Sequence, residues 1–275
     1  MTVGDAVARS GLERLDAQVL LAHALGVDRA WLVAHASERC PAKRCAAFAE
    51  LAARRRAGEP VAYLTGVREF WGLPLAVDAR VLIPRPETET LVEQALAVLP
   101  ADREALVLDL GTGSGAIALA IAHARPRAVV VASDNSGDAL AVACGNAERL
   151  KLANVRLLQS DWYDALPSQR TGFDLIASNP PYVAVGDPHL GEGDVRFEPM
   201  AALRAGADGL DALRIVVRGA PSRLVPGGTL VVEHGFDQAA AVRALMVEVG
   251  FADVGTARDL AGRERVTRGR TRSHP

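Results

Sequence analysis

Apolar residues recur at helical spacing in the first part of this chain and predict a small helical domain. A first amphipathic helix is predicted over Leu12–Leu25 and a second over residues 42–56. The inward candidates of the first helix are Leu12, Leu15, Val19 and Ala22. No cluster of catalytic side chains lies in this part. We therefore predict a helical substrate-recognition domain over residues 1–62.

The pattern then changes to strands, and from Ala105 onward apolar runs alternate with helix-like stretches. The aromatic segment between Val67 and Val77 predicts a short β-hairpin, in a linker placed at residues 63–80. The later alternation is typical of βαβ units with a parallel sheet covered on both faces. Because no long helix separates the last two strand candidates, we expect an antiparallel edge hairpin. The fold class is thus α/β, with a Rossmann-like, mostly parallel sheet of seven strand candidates in a domain over residues 81–275.

Composition and charge indicate a globular protein with a sizeable core. The 275 residues are 49% apolar and 23% charged, and the formal net charge of -2 gives no global attraction to nucleic acid or membrane. Cys40, Cys45 and Cys144 lack metal-site spacing, so we interpret them as buried thiols and expect no metal. No apolar run has the length of a membrane-spanning helix and the first residues lack a signal-peptide pattern, so we expect a cytoplasmic protein.

The strongest local signal is a glycine-rich turn where the first buried strand gives way to a helix. Asp109 lies near the end of this strand, and the turn itself consists of Gly111, Thr112, Gly113, Ser114 and Gly115. Glycines let a backbone turn sharply and come close to a ligand, so these residues are candidates for binding a nucleotide-like cofactor. Gly111, Gly113 and Ala116 also satisfy the dinucleotide fingerprint, so a nicotinamide or flavin enzyme is an alternative.

The next two strands also end in acidic residues. Asp134 lies about 20 residues beyond the glycine turn, where a carboxylate can accept hydrogen bonds from both hydroxyls of a ribose. A helix cap is an equal alternative for this residue. Asp161 and Trp162 follow the third strand. An acid beside an indole suits adenine, because Asp161 could bind the exocyclic amine while Trp162 covers the ring.

The fourth strand runs directly into Asn179, Pro180, Pro181 and Tyr182, and this run separates the alternatives. An amide or aniline-type nitrogen is a poor nucleophile because its lone pair is delocalised. The side-chain carbonyl of Asn179 and the main-chain carbonyl of Pro180 can each accept one N–H, which orients the lone pair and stabilises the developing positive charge. The prolines stiffen the backbone, and Tyr182 can stack on a planar group. We predict an S-adenosylmethionine-dependent methyltransferase acting on such a nitrogen.

With this run, the chain resembles the protein-(glutamine-N5) methyltransferases that modify peptide chain release factors. The resemblance also includes residues 81–89, 197–199, 231–235 and 259–266 and extends over nearly the whole chain. It implies a class I methyltransferase fold, S-adenosylmethionine as cofactor and release factors as partners. We separately expect a monomer, although the sequence itself does not report the oligomeric state. The implied cofactor contacts are Gly111 to Gly115, Asp134 and Trp162, with Asp109, Asp161 and Asn179 as further candidates. Asn179, Pro180, Pro181 and Tyr182 are then the catalytic residues that hold the glutamine amide of the Gly-Gly-Gln loop.

Arg85 and Glu198 are further candidate substrate-binding residues, and Arg85 could instead order the hairpin by pairing with the catalytic domain. The resemblance places the irregular segment 186–211 beside the substrate entrance. His234 is expected to line the pocket without a catalytic role. Two alternatives share the Asn-Pro-Pro-Tyr run: enzymes that methylate an exocyclic amine of a nucleobase, and a sister enzyme that methylates a ribosomal-protein glutamine. A nucleic-acid enzyme would be expected to carry a basic groove. The arginines at 54–56 and 263–272 are interpreted as solvated faces instead.

Overall fold

The computed structural model describes residues 1–166 and 172–272. Contacts within the chain divide it into two compact units. One consists of Met1–Val67 and Gly191–Phe197, and the other of Arg68–Leu190 and Glu198–Pro275. The division at Val67 falls inside the segment predicted as a linker. Within the described residues, no helix combines the length and the apolar character that crossing a bilayer requires.

The first unit is built from five helices. They are α1 (Val3–Ala8), α2 (Arg14–Leu25), α3 (Arg29–Ala34), α4 (Ala42–Arg56) and α5 (Val61–Thr65). The prediction of α4 is confirmed at both ends, and α2 ends as predicted before Gly26, which adopts a left-handed conformation with φ of 73°. The short helices α1 and α3 begin at side-chain caps, since Thr2 accepts a hydrogen bond from the Asp5 N–H and Asp28 accepts one from the Trp31 N–H.

The predicted inward face of α2 is wrong in part. Leu15 is 54% exposed, whereas the fully buried positions are Ala17, Leu20 and Leu21. The physical reason is that α2 lies among α1, α3, α4 and α5, so a broad face of small and large apolar residues is covered. A single stripe at helical spacing describes a helix that packs on one side only.

Two of the three cysteines are paired, which corrects the prediction of three buried thiols. Cys40 and Cys45 form a disulfide with their Cα atoms 6.2 Å apart, a separation that such bonds span. Cys40 lies just before α4 and Cys45 within it, so the helix start brings them together. Cys144 is free and half-buried.

Part of the irregular segment 186–211 belongs to the helical unit. Asp194 accepts a hydrogen bond of 2.6 Å from Arg55, and Arg196 donates one of 2.7 Å to the carbonyl of Ala57. The segment is thus tied to the end of α4 by ion pairing and hydrogen bonding.

The second unit contains the predicted seven-stranded sheet, whose strand order is β5-β4-β3-β6-β7-β9-β8. The strands are β3 (Ala105–Leu110), β4 (Ala128–Asp134), β5 (Val155–Gln159), β6 (Phe173–Ser178), β7 (Leu224–Glu233), β8 (Ala252–Arg258) and β9 (Glu264–Arg270). The helices are α6 (Glu89–Val98), α7 (Ala116–Ala124), α8 (Gly137–Leu150), α9 (Asp211–Gly219) and α10 (Ala239–Glu248). Strands β3 to β7 run parallel, and β9 pairs antiparallel with both β7 and β8, which confirms the fold class.

Both faces of the sheet are buried, which explains the nearly continuous apolar runs of its central strands. Val107 and Leu175 belong to the core on one face, and Leu108 and Ile176 to the core on the other. The predicted hairpin is also present, as β1 (Val67–Phe70) paired with β2 (Leu73–Ala76). Its side chains Phe70, Leu73 and Leu75 pack against α6 and α7.

Candidate active site

A cavity of about 180 Å³ lies at the carboxyl ends of the central parallel strands. From β3 the chain proceeds to β4 and β5 on one side and later returns to β6 on the other, so β3 and β6 flank the switch point where ligands bind in such sheets. The predicted residues on the cavity wall are Gly111, Gly113, Asp134, Asp161, Trp162, Asn179 and Pro181. Topology therefore places the glycine turn beside the Asn-Pro-Pro run.

Two glycines of the turn leave open space over the cavity. Gly111 and Gly113 have φ values of 70° and 56°, and a Cβ at either position would meet no atom within 4 Å. Gly115 differs, because its Cβ would lie 2.9 Å from the Leu119 side chain. Gly115 is thus required by packing, whereas Gly111 and Gly113 keep the backbone bare where a ligand can approach.

Asp109 lies behind the turn and does not line the cavity. Its Oδ2 accepts hydrogen bonds from the Thr112 hydroxyl at 2.6 Å and the Ala118 N–H at 3.2 Å. Complete burial raises the pKa of Asp109 to about 7, although the bonds from Thr112 and Ala118 lower it. Ser114 is also buried, and its carbonyl accepts a hydrogen bond of 2.8 Å from Asn146. Asp109, Thr112 and Ser114 therefore hold the turn in shape.

Asp134 ties the turn to the next strand. Its Oδ2 accepts the Gly113 N–H and its Oδ1 the Ser136 N–H, both at 2.9 Å. The cap of α8 is Ser136, whose hydroxyl accepts the Ala139 N–H at 3.2 Å, so Asp134 is not the helix cap. Each carboxylate oxygen can accept two hydrogen bonds and accepts one from these N–H groups, which leaves capacity for a ligand on the cavity side.

Trp162 is held in a left-handed conformation, with φ of 46°. The Ser160 hydroxyl donates to the Trp162 carbonyl at 2.9 Å and accepts the Ala165 N–H at 3.0 Å, which fixes the loop. The left-handed region of φ/ψ space is energetically unfavourable for a residue with a bulky side chain, and residues strained in this way cluster at functional sites. Asp161 and Trp162 form one end of the cavity wall.

The side chain of Asn179 is oriented by a single hydrogen bond, in which Nδ2 donates to the Thr88 hydroxyl at 3.2 Å. Because Nδ2 is directed to Thr88, the carbonyl Oδ1 lies at the other end of the amide. Within residues 1–166 and 172–272, no donor occupies that Oδ1 or the main-chain carbonyl of buried Pro180. Both acceptors predicted from the sequence are therefore unoccupied, and Asn179 lines the cavity whereas Pro180 does not.

Tyr182 is half-buried, and its hydroxyl donates to Glu233 Oε1 at 3.2 Å. Burial raises the pKa of Tyr182, so the hydroxyl stays protonated at neutral pH. The Tyr182 carbonyl accepts a hydrogen bond of 3.1 Å from Gln238, and the Val183 N–H donates to the Leu203 carbonyl at 2.9 Å. The residues after the prolines are therefore fixed by both side chain and backbone.

Arg85 and Glu198 pair with each other. The Arg85 guanidinium donates to Glu198 Oε1, and the Ile83 N–H donates to Oε2 at 3.2 Å. Glu198 is buried, and neither member of the pair lines the cavity. Their neighbours Leu82 and Pro199 do line it, so the pair braces two sides of the wall.

Comparisons with known proteins show which family the chain belongs to. Family models described as the PrmC N-terminal domain and as a methyltransferase domain match residues 6–66 and 101–251. A release factor glutamine methyltransferase of Xylella fastidiosa (strain Temecula1) is 55% identical, over 96% of this chain and 96% of its own length. The chain belongs to the release factor glutamine methyltransferase family.

Members of this family in other bacteria are comparably similar, as in Bordetella pertussis (strain Tohama I), with 54% identity over 96% of this chain and 97% of the relative. A solved methyltransferase from Pyrococcus furiosus has the same fold at 18% identity, with a TM-score of 0.55 over 81% of this chain and 98% of its own. Membership of the release factor glutamine methyltransferase family implies the use of S-adenosylmethionine.

For this member of the release factor glutamine methyltransferase family, sequence reasoning missed several wall residues. They are Arg80, Leu82, Ser133, Asn135, Pro199 and Ala202. Ser133 and Asn135 flank Asp134 and could have been found from that signal, whereas the others reach the cavity only through tertiary folding. His234 was predicted to line the pocket, which is wrong. It is buried, with its ring nitrogens bonded to the Gly235 carbonyl and the Thr267 hydroxyl, both at 2.8 Å.

Proposed function

We propose that this chain transfers the methyl group of S-adenosylmethionine to the side-chain amide nitrogen, N5, of the glutamine in the Gly-Gly-Gln loop of peptide chain release factors. The observation that carries the proposal is the orientation of Asn179. Its Nδ2 is held by Thr88, which leaves Oδ1 for a substrate N–H beside the glycine-lined cavity.

The cavity residues fit S-adenosylmethionine, which supplies an electrophilic methyl group when bound. Gly111 and Gly113 leave bare backbone for the cofactor to approach. The carboxylate of Asp134 would accept hydrogen bonds from the ribose hydroxyls. Asp161 would accept a hydrogen bond from the adenine amine, and Trp162 would cover the face of the adenine ring. Asp109, Thr112, Ser114 and Gly115 would act indirectly by shaping the turn.

The substrate amide would be held by two acceptors. Asn179 Oδ1 would take one N–H and the Pro180 carbonyl the other, while Pro181 stiffens the run and Tyr182 stacks on the flat amide. These fixed dipoles orient the nitrogen lone pair and stabilise the positive charge that grows there. The alkylated nitrogen is acidic enough to release its proton to water, so a strong base is not required. Arg85 and Glu198 would contribute by bracing the walls around the substrate.

We propose the helical part, residues 1–62, as the module that recognises the release factor, with residues 63–80 as linker and 81–275 as the methyltransferase domain. Support comes from the match of residues 6–66 to a family model of its own. A substrate that belongs to translation also favours a cytoplasmic location. We expect the chain to act as a monomer.

A labelled-methyl assay tests the proposed function. Purified chain, labelled S-adenosylmethionine and a release factor should give label on the factor, and label should disappear when the Gly-Gly-Gln glutamine is replaced by alanine. Parallel reactions with duplex DNA and with ribosomal proteins should stay at background. Label on DNA alone would identify a nucleobase enzyme instead, and label on a ribosomal protein alone would identify the sister activity.

A further inference from the structure

We propose that Thr88 and Glu233 are positioning residues for methyl transfer, which orient Asn179 and Tyr182 from behind the cavity. The inference rests on the proposed function. Neither residue lines the cavity, so neither is placed to touch the cofactor or the substrate amide. Thr88 acts through Asn179, which lines the cavity, and Glu233 acts through Tyr182, which lies next to the wall residue Pro181.

Thr88 fixes which end of the Asn179 amide faces the substrate. It is 4% exposed and ends the 3-10 turn Pro86–Thr88, where its N–H donates to the Arg85 carbonyl at 3.1 Å. Its hydroxyl accepts the Asn179 Nδ2 hydrogen at 3.2 Å. Since that hydroxyl oxygen accepts, its own hydrogen is available for another acceptor. Without Thr88, the Asn179 side-chain amide is free to rotate by half a turn. Its NH2 group would then face the substrate N–H, and two hydrogen-bond donors repel each other.

Glu233 lies next to both Thr88 and Tyr182. It is the last residue of β7, is 1% exposed, and accepts the Tyr182 hydroxyl at Oε1. The Thr88 hydroxyl also lies close enough to lower the pKa of Glu233. In the described part of the chain, Oε2 is buried and has no hydrogen-bond partner. A buried carboxyl is costly, and a buried carboxyl beside a candidate active site is more typical of a functional than of a packing role.

The carboxylate form of Glu233 is the form that accepts most strongly from the Tyr182 hydroxyl at Oε1. Burial raises the pKa of Glu233 to about 7, while Thr88 and Tyr182 lower it. The charged groups that face it are Arg265 on β9, which lowers the pKa, and Glu87 in the 3-10 turn, which raises it. The acceptor form is therefore present above about pH 7 and is lost as the pH falls. We expect kcat to fall in the same range.

The first test replaces the hydroxyl of Thr88. Thr88→Val should lower kcat for release-factor methylation by about tenfold or more, because a preorganised polar contact is removed. The KM for S-adenosylmethionine should stay within about threefold, since the glycine turn is untouched. Thr88→Ser keeps the hydroxyl and should restore most of the rate. Thr90→Val, a matched change at a buried threonine two residues away, should stay near wild type.

An unchanged kcat in Thr88→Val would overturn the inference. So would an equal loss in Thr90→Val, because that result would indicate general packing. Inactivity of the wild-type chain toward every release factor would instead reject the proposed function. A crystal structure of Thr88→Val remains informative in that case, since retention of the wild-type Asn179 orientation would overturn the positioning role independently of activity.

The second test is the pH profile at saturating cofactor, a condition that removes effects of Asp109 on cofactor binding. Wild-type kcat should decline below about pH 7. Glu233→Gln should show a lower kcat with that decline abolished. If Glu233→Gln retains the same decline, the titrating group lies elsewhere and the role of Glu233 is rejected. If it does not fold, Tyr182→Phe serves in its place. The phenylalanine removes the hydroxyl that Glu233 accepts, and an unchanged kcat and pH profile would reject the link between them.

Discussion

Replacement of Asn179 by alanine should reduce methyl transfer by about 100-fold or more while cofactor affinity stays within a few-fold. The alanine removes Oδ1, one of the two acceptors proposed to hold the amide, and leaves Gly111, Gly113 and Asp134 in place. The loss should therefore appear in kcat, because an acceptor that responds to the growing charge on nitrogen acts mainly in the transition state.

Single-turnover rates and calorimetric titration with S-adenosylhomocysteine separate the two effects. A variant that loses transfer and cofactor affinity equally would contradict the assigned role and make Asn179 a cofactor ligand first. Thermal unfolding serves as the control for stability. Asn179 donates one hydrogen bond of 3.2 Å to Thr88, so its truncation should cost only about 1 kcal/mol of the free energy of unfolding.

Replacement of Asp134 by alanine should weaken cofactor binding by at least about tenfold, since hydrogen bonds to charged groups contribute roughly 1.5–3 kcal/mol each. The carboxylate lines the cavity and also accepts the Gly113 N–H at 2.9 Å, so its loss removes a ribose acceptor and loosens the glycine turn. Transfer at saturating cofactor should be affected much less than affinity.

Calorimetry with S-adenosylhomocysteine measures this effect directly. The matched control is Asp138→Ala, which removes an exposed carboxylate in the first turn of α8 and should bind within about twofold of wild type. Unchanged affinity for S-adenosylhomocysteine in Asp134→Ala would show that Asp134 only fixes the backbone at Gly113 and Ser136 and does not bind the ribose. Equal weakening in both variants would indicate a general effect of negative charge near the site.

The strand ends of the site could be predicted because their signals are local. Each central strand is buried on both faces and therefore gives an unbroken apolar run, and polar residues such as Asp134 and Asn179 mark where it ends. Carboxyl ends of parallel strands meet at one edge, so the gathering of these residues followed from the fold class. The glycine-rich turn was also predicted, from its spacing after the first of these strands, whereas the left-handed φ values of Gly111 and Gly113 were not.

The residues behind the cavity wall could not be predicted in this way. Thr88 and Glu233 come from segments 145 residues apart and meet Asn179 and Tyr182 only in the folded sheet. The Arg85–Glu198 pair likewise joins segments separated by 113 residues, and the sequence around either residue does not indicate that the other is its partner. Pairing also explains why two residues expected to bind substrate lie behind the wall.

Local signals were also overlooked in the helical unit. Thr2 followed three residues later by Asp5 is a capping box, yet α1 is only six residues long and too short for apolar periodicity to reveal. The exposure of Leu15 shows the opposite error, in which periodicity was applied to α2 as if one face alone were covered. A small helical unit produces both errors, because its helices are short or are covered by several neighbours.

A crystal structure of the chain with S-adenosylhomocysteine tests the central claim most directly. The account predicts the ligand at the glycine turn, its ribose at Asp134, its adenine beside Trp162 and its sulfur facing Asn179 Oδ1. A sulfur atom remote from Asn179, or a ligand bound away from Gly111 and Gly113, would contradict it.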